Sequence, residues 1–223
     1  MVIVLLGPPG AGKGTQARLL SESFNLVHIA TGDMLRMAIK DNTEIGRQAK
    51  NFIEAGTLVP DDLVDRLVGE RLKQLDCRHG FILDGYPRTL AQADTLQTLL
   101  EQENVPFLTI GIDVPETILM VRLGVRWMCP NCNRTFSEML SFSTLKGLVC
   151  NRCEVSLVHR VDDTVDVVTA RLRVYHERTE PLIRYYQERG LYVQIDGNQL
   201  PEKIFDAISS VVKERVGLKN FKT

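Results

Sequence analysis

An excess of charge of either sign is missing: 27 Lys and Arg stand against 28 Asp and Glu, a net charge of −1. Such a chain has no global field to draw in nucleic acid or an anionic membrane, so any polyanion it handles must be held locally. Long apolar runs are missing as well. The apolar opening Met1–Leu6 falls far short of the roughly 20 residues of a membrane helix. With no basic leader and no cleavage site around it, the expectation is a cytoplasmic protein that has no membrane partner. Five cysteines, an odd number in a chain this large, do not make a disulfide framework. Internal repeats and low-complexity tracts are absent. The 44% apolar and 25% charged fractions, with 16 Gly and 9 Pro, exclude collagen, coiled-coil and disordered classes.

What is present is the alternation of an α/β protein. A length of 223 residues suits one principal core carrying one or two inserted lobes. Short apolar runs at Val2–Leu6, Leu26–Ile29, Phe81–Leu83, Phe107–Ile112 and Leu191–Ile195 read as buried strands of a parallel sheet. Helical faces lie between and after them: Ala17, Leu20 and Phe24; Leu63, Leu67 and Leu72; Val165, Val168 and Leu172; Ile204, Ile208 and Val211. Pro115 suits the first turn of a helix capped by Asp113 or Val114. Two segments break the alternation. Residues 30–59 hold two helical patterns in a row and end at Gly56 and Pro60. The stretch from Val125 to about Asp163 is rich in Cys, Asn, Arg and Ser and has no helical period.

Where the first strand gives way to the first helix stands Gly7-Pro8-Pro9-Gly10-Ala11-Gly12-Lys13-Gly14-Thr15. Glycines let successive backbone N–H groups turn inward around an anion, the helix N-terminus adds its positive end, and Lys13 supplies a point charge for outer phosphates. In the general phosphate-loop pattern Ser or Thr follows the Lys; here Gly14 fills that place and Thr15 comes next. Phe81-Ile82-Leu83-Asp84 delivers a carboxylate at the C-terminal edge of a strand, where it can reach the water shell of magnesium beside the loop. Farther on, Cys129-x-x-Cys132 and Cys150-x-x-Cys153 are paired knuckles separated by residues 133–149. That spacing fits a structural, tetrahedral Zn2+ with no open position for chemistry. Cys77 reads as a packed core thiol.

The phosphate loop with Lys-Gly-Thr, the stretch Thr31-Gly32-Asp33-Met34-Leu35-Arg36, and Asp84-Gly85-Tyr86-Pro87-Arg88 together resemble the nucleoside monophosphate kinases, and among them the adenylate kinases, including the zinc-bearing lids of some bacterial members. Gly56-Thr57-Leu58-Val59-Pro60, Gln92, Arg160-x-Asp162-Asp163 and Arg171 extend the resemblance over nearly the whole chain. It implies a P-loop core with a five-stranded parallel sheet (residues 1–29, 60–124 and 163–223), a helical monophosphate-binding lobe (30–59) and a lid (125–162). ATP would be held by Gly10, Ala11, Gly12, Lys13, Gly14 and Thr15, by Arg126, Thr135 and Phe136 from the lid, and by Gln199 at the base. AMP would be held by Thr31, Arg36, Thr57, Leu58, Val59, Gly85, Tyr86, Pro87, Arg88 and Gln92, with Arg160 and Arg171 between the two substrates. Lys13, Arg88, Arg126, Arg160 and Arg171 would form the catalytic set, with Mg2+ near Asp84. Trp127 stands where a second arginine commonly follows Arg126, and residues 137–149 lack the usual His and Pro-Pro features.

The implied reaction, phosphoryl transfer from MgATP to AMP giving two ADP, explains these residue types. The accepting phosphate oxygen is already anionic, so the reaction requires two polyanions held in line rather than a general base. Guanidiniums serve that purpose, and the four histidines, His28, His79, His159 and His176, read as packing or surface residues. Closure of a lid would exclude water. The expected partners are ATP, AMP and ADP, with no nucleic acid, and the chain is expected to be a monomer. Three other readings stand beside this one: a sister kinase using another acceptor base, a P-loop ATPase or switch, and a zinc-ribbon nucleic-acid-binding module.

Overall fold

The order of strands follows from burial on both faces. In the computed structural model, which describes residues 1–102, 105–132, 134–137, 148–159 and 163–215, β1 (Val2–Leu6) is central and fully buried. With β2 (Val27–Ala30), β3 (Phe81–Asp84), β4 (Phe107–Asp113) and β8 (Tyr192–Asp196), defined in chain order after the short strands β5 (Arg126–Met128), β6 (Thr135–Ser137) and β7 (Val158–His159), it makes a five-stranded sheet in the order β2-β3-β1-β4-β8. All four pairings are parallel. Side chains alternate along each strand, so Ile3 and Leu5 join one core layer while Val2, Val4 and Leu6 join the other. Helices α1 (Lys13–Phe24), α6 (Glu116–Gly124), α7 (Val165–Val174) and α9 (Pro201–Arg215) cover the first layer. The second is covered by α2 (Thr31–Lys40), α3 (Glu44–Ala55), α4 (Asp61–Leu72), α5 (Leu90–Gln102) and α8 (Pro181–Gln187).

The α/β architecture is the expected one, and the differences lie at element ends. β2 begins at Val27 because Leu26 is taken up by the end of α1: its N–H donates to Ser21 O and its carbonyl accepts from Ser21 Oγ at 2.6 Å. β3 runs on to Asp84, whose neighbours in the ladder are Leu5 and Ala30. β4 continues to Asp113, paired with Asp196. β8 starts one residue late, since the Leu191 N–H is used by Tyr186 O. Pro115 is itself the cap of α6, its carbonyl accepting from Ile118 and Leu119; a ring nitrogen that cannot donate loses nothing there. Val165, read as part of a buried face, is 70% exposed at the first position of α7, while Val168 and Leu172 are buried.

Two insertions interrupt the strand-helix order. Between β2 and α4 lie α2 and α3, packed on each other; Gly46 permits this, because a Cβ there would sit 2.0 Å from Ala38 O. Between α6 and α7 lies a small antiparallel sheet, β6-β5-β7, with its own buried cluster of Cys129, Cys150 and Leu157. No helix among the described residues is long and apolar enough to cross a membrane.

Candidate functional site

The C-terminal ends of the parallel strands converge on one cleft of about 1000 Å³, walled by the loop after β1, the α2–α3 insertion and the small sheet. That is where ligands lodge in sheets of this type. Gly12, the cap of α1, has φ +93°, a left-handed conformation that a side chain would strain. Lys13 follows as the first residue of the helix. Its Nζ donates to Gly7 O at 2.7 Å and Pro8 O at 2.9 Å. Burial pushes its pKa down to about 8, and the positive charges of Arg88 and Arg126 add to the effect against Asp84. An arriving phosphate would relieve that repulsion.

Asp84 ends β3 directly beside the loop. A Cβ on Gly14 would lie 3.3 Å from Asp84 Oδ2, so the glycine that departs from the general motif leaves room for this carboxylate; a larger side chain there would press on it. Burial raises the Asp84 pKa, but a hydrogen bond from His28 and the charges of Lys13 and Arg88 outweigh it and hold the group below the usual carboxylate range. His28 Nε2 lies 3.4 Å from Asp84 Oδ2 and lines the cleft. His28, expected as a packing or surface residue, instead belongs to the cleft beside Asp84. An ionised, charge-flanked carboxylate beside a phosphate-type loop suits the water shell of a divalent cation.

The adjoining stretch of the cleft is built on Gly85. Its φ of +83° and the 2.9 Å from a built Cβ to Thr31 Oγ1 admit no side chain. Thr31 Oγ1 donates to Gly85 O at 2.8 Å, and Arg88 Nε donates to the same carbonyl at 2.8 Å. Gln92 is 3% exposed; its Oε1 accepts from the Arg88 N–H at 2.7 Å and its Nε2 donates to Asp61 Oδ1 at 2.7 Å. Arg36 pairs with Asp33 across one turn of α2. Thr57, Leu58 and Val59 line the cleft where α3 ends. Tyr86 departs from the expectation: its side chain is buried away from the cleft and its hydroxyl donates to Asp65 at 2.7 Å, so only its backbone, in the cis peptide to Pro87, belongs to this turn.

Arg126 and Arg171 meet over Asp163, whose side chain is 3% exposed. Arg126 Nε donates to Oδ2 at 2.7 Å and its Nη2 donates to Oδ1, while Arg171 Nη1 reaches Oδ1 at 3.3 Å. Arg160 lies outside the described residues. Thr135 and Phe136 of β6 and Gln199 before α9 also face the cleft, and Gln199 Nε2 donates to Asp196 at 2.9 Å. Arg122, which sequence reasoning missed, lines the same end and donates to Gly197 O at 3.0 Å. Arg122 lies on α6 and Arg126 starts β5, so no periodic spacing in the sequence links the two. For His28 the alternation of β2 puts it on the Ala30 side of the strand, but only the β2–β3 register brings it to Asp84.

The four cysteines gather as their spacing predicts. Their sulfur atoms all lie within 4.8 Å of one another, and Cys132 Sγ to Cys150 Sγ is 3.8 Å. Metal–thiolate bonds of about 2.3 Å in a tetrahedron require sulfur separations of about 3.8 Å, so the cluster fits a metal ion. Burial opposes ionisation of Cys150, but N–H groups of Arg152 and Cys153 pointed at its sulfur outweigh it and lower its pKa below the usual thiol value. Trp127 sits on the cysteine face of β5 and packs on His159, ring centroids 3.6 Å apart, while Arg126 and Met128 face the cleft. The departure at Trp127 thus falls on the side of the strand that supports the cluster.

The model of the family described as adenylate kinase matches residues 5–191. The chain is similar to the adenylate kinase of Moorella thermoacetica, 47% identical over 209 residues that cover 93% of this chain and 96% of that one. It is 41% identical to the adenylate kinase of Thermoanaerobacter sp. (strain X514) over 216 residues, covering 96% and 99%, and 42% identical to that of Clostridium beijerinckii over 213 residues, covering 95% and 98%.

Proposed function

Because the chain belongs to the adenylate kinase family, enzymes of nucleoside monophosphate phosphoryl transfer, we propose that it moves the terminal phosphoryl group of ATP onto AMP and yields two ADP. The observation that carries this reading is that two residue sets line one cleft. One is the phosphate loop with Lys13 and Asp84; the other, continuing from Asp84, is the Thr31–Gly85–Arg88–Gln92 network, for which an ATPase or switch has no use.

The residues divide the work by chemistry. Loop N–H groups and Lys13 hold the donor phosphates, and the adenine lies toward Gln199 and Arg122. Arg36 and Arg88 hold the acceptor phosphate, with Thr31, Leu58, Val59 and Gln92 around its base. Arg126 and Arg171, converging from the small sheet and α7, neutralise charge on the phosphoryl group in flight; Arg160 joins them in this reading. Magnesium, which adenylate kinases use, would be held through water at Asp84 and would offset charge on the donor phosphates. Closure of the 125–162 lid over the 30–59 lobe excludes water, and the four cysteines hold Zn2+ as a structural brace. The same reading makes the protein a cytoplasmic monomer that balances adenine nucleotides.

A coupled assay with AMP, GMP, UMP and CMP as acceptors and ATP as donor tests the proposal. AMP-dependent ADP formation is the expected result, at a kcat/KM at least tenfold above that of the other acceptors, since buried polar groups matched to one base reject another that leaves them unpaired. Equal or better use of UMP or CMP would move the chain to a sister activity. ATP hydrolysis without an acceptor would make it an ATPase.

A further inference from the structure

Gln92 is an amide, and an amide can present either end. Which end faces a base decides whether the base is read as a 6-amino or a 6-oxo purine. Adenine offers an acceptor ring nitrogen beside a donor amino group, whereas guanine offers a donor ring N–H beside an acceptor oxygen. The two neighbours of the Gln92 amide settle its polarity. The Arg88 backbone N–H can only donate and takes Oε1 at 2.7 Å; the Asp61 carboxylate can only accept and takes Nε2 at 2.7 Å. A flipped amide would set N–H against N–H and carbonyl against carboxylate, two repulsive contacts in a position 3% exposed. One N–H and one lone pair of the amide remain for a base at the cleft wall.

Asp61 lies outside the cleft-lining set and occupies the first position of α4, just past Pro60 where the α2–α3 insertion rejoins the core. Its second oxygen accepts from Thr89 Oγ1 at 2.8 Å, and Thr89 Oγ1 in turn accepts the Gln92 N–H at 3.2 Å. One carboxylate thereby fixes both the start of α5 and the side chain that α5 sends to the cleft. The geometry points to Asp61 as a positioning residue for acceptor-base choice, acting through Gln92 without touching the nucleotide. This rests on the acceptor reading proposed above and adds the residue that enforces it.

The experiment compares wild type, Asp61→Ala, Asp61→Asn, Gln92→Ala and the Asp61→Ala/Gln92→Ala double variant, with AMP and GMP as acceptors. Loss of a charge-assisted hydrogen bond predicts that Asp61→Ala raises KM for AMP about tenfold, leaves KM for ATP unchanged and narrows the AMP-to-GMP ratio of kcat/KM. Asp61→Asn, which keeps an acceptor for Nε2, restores most of that ratio. The double variant should match Gln92→Ala alone, because Asp61 has nothing left to position. Thr89→Val, which removes the other arm and the acceptor of the Gln92 backbone N–H but keeps the Asp61–Nε2 bond, should change the base ratio far less than Asp61→Ala. Additive losses in the double variant, or an equal rise in KM for ATP, would overturn the role. A parallel reading of the Gln92 side-chain NH2 resonances in nucleotide-free protein keeps the two hypotheses apart. They should shift and exchange faster in Asp61→Ala and stay near wild type in Asp61→Asn; unchanged resonances in the Ala variant refute the tie. A wild type that shows the tie yet uses AMP and GMP equally refutes the acceptor-base reading instead.

Discussion

Asp163 accepts Arg126 through both carboxylate oxygens, Oδ2 taking Nε at 2.7 Å and Oδ1 taking Nη2. Arg171 shares Oδ1 at 3.3 Å. Two guanidiniums that would repel each other are thereby held side by side on one buried negative charge. Their planar forks stay oriented toward the cleft that, in the proposed reaction, brings the phosphates of ATP and AMP together.

Asp163→Asn should therefore loosen both arginines at once. With a neutral partner in place of a charge-assisted one, a loss of about 1.4 kcal/mol corresponds to roughly tenfold in kcat. The KM values for both nucleotides should change less than kcat, and steady-state kinetics with both substrates varied checks this. A fall in KM affinity with kcat intact would show that the pair serves binding alone.

Lys13 carries a pH dependence with a definite sign. Its folded pKa of about 8 lies below the ordinary lysine value of 10.5. Between those limits the unfolded chain keeps a proton that the native state has released, so this group makes stability rise with pH across that window, and its destabilising effect is fully present below pH 8. The Tm of nucleotide-free wild type minus that of Lys13→Met should increase from pH 8 toward 10.5. Calorimetry at several pH values reads it. The same variant should lose at least a hundredfold in kcat/KM, on the order of the loss of an electrostatic contact to the reacting group.

Gly85→Ala should act on the fold and the site together. The left-handed φ of +83° and the 2.9 Å approach to Thr31 Oγ1 set a cost of about 1–3 kcal/mol. Urea unfolding should show that loss. The KM for AMP should rise more than that for ATP, because the displaced groups, Thr31 and Arg88, belong to the proposed acceptor site.

Removing metal from the cysteine cluster, by chelation or by Cys150→Ser, should lower Tm and loosen the β6-β5-β7 sheet while the five-stranded sheet keeps its ladder, since a bound ion is linked to the folding of its ligands. Elemental analysis of protein purified under reducing conditions should find one zinc per chain. A metal-free chain whose Tm does not respond to added zinc would refute the assignment.

Contiguous features were legible in the sequence because their physics is local. The phosphate loop needs only glycines, a lysine and a strand-to-helix junction in a row, and Asp84 needs only an apolar strand that ends. The cysteine knuckles announce themselves by spacing. The parallel sheet could be read from short apolar runs between helical faces, although the ends of β2 and β8 shifted where Ser21 and Tyr186 claimed a neighbour's backbone.

What only the tertiary structure decided are the partners of charged and polar groups that are distant in the chain. Arg126 and Arg171 reach Asp163, His28 reaches Asp84 across 56 positions, and Gln92 reaches Asp61 across 31. Tyr86, inside the Asp84–Arg88 stretch, turns its ring away to Asp65 because a buried phenol must find a hydrogen-bond acceptor. No pattern of residue types along one chain specifies which carboxylate a given donor will meet. That choice is made when strand register and helix packing bring the two together in a place too dry to leave either unpaired.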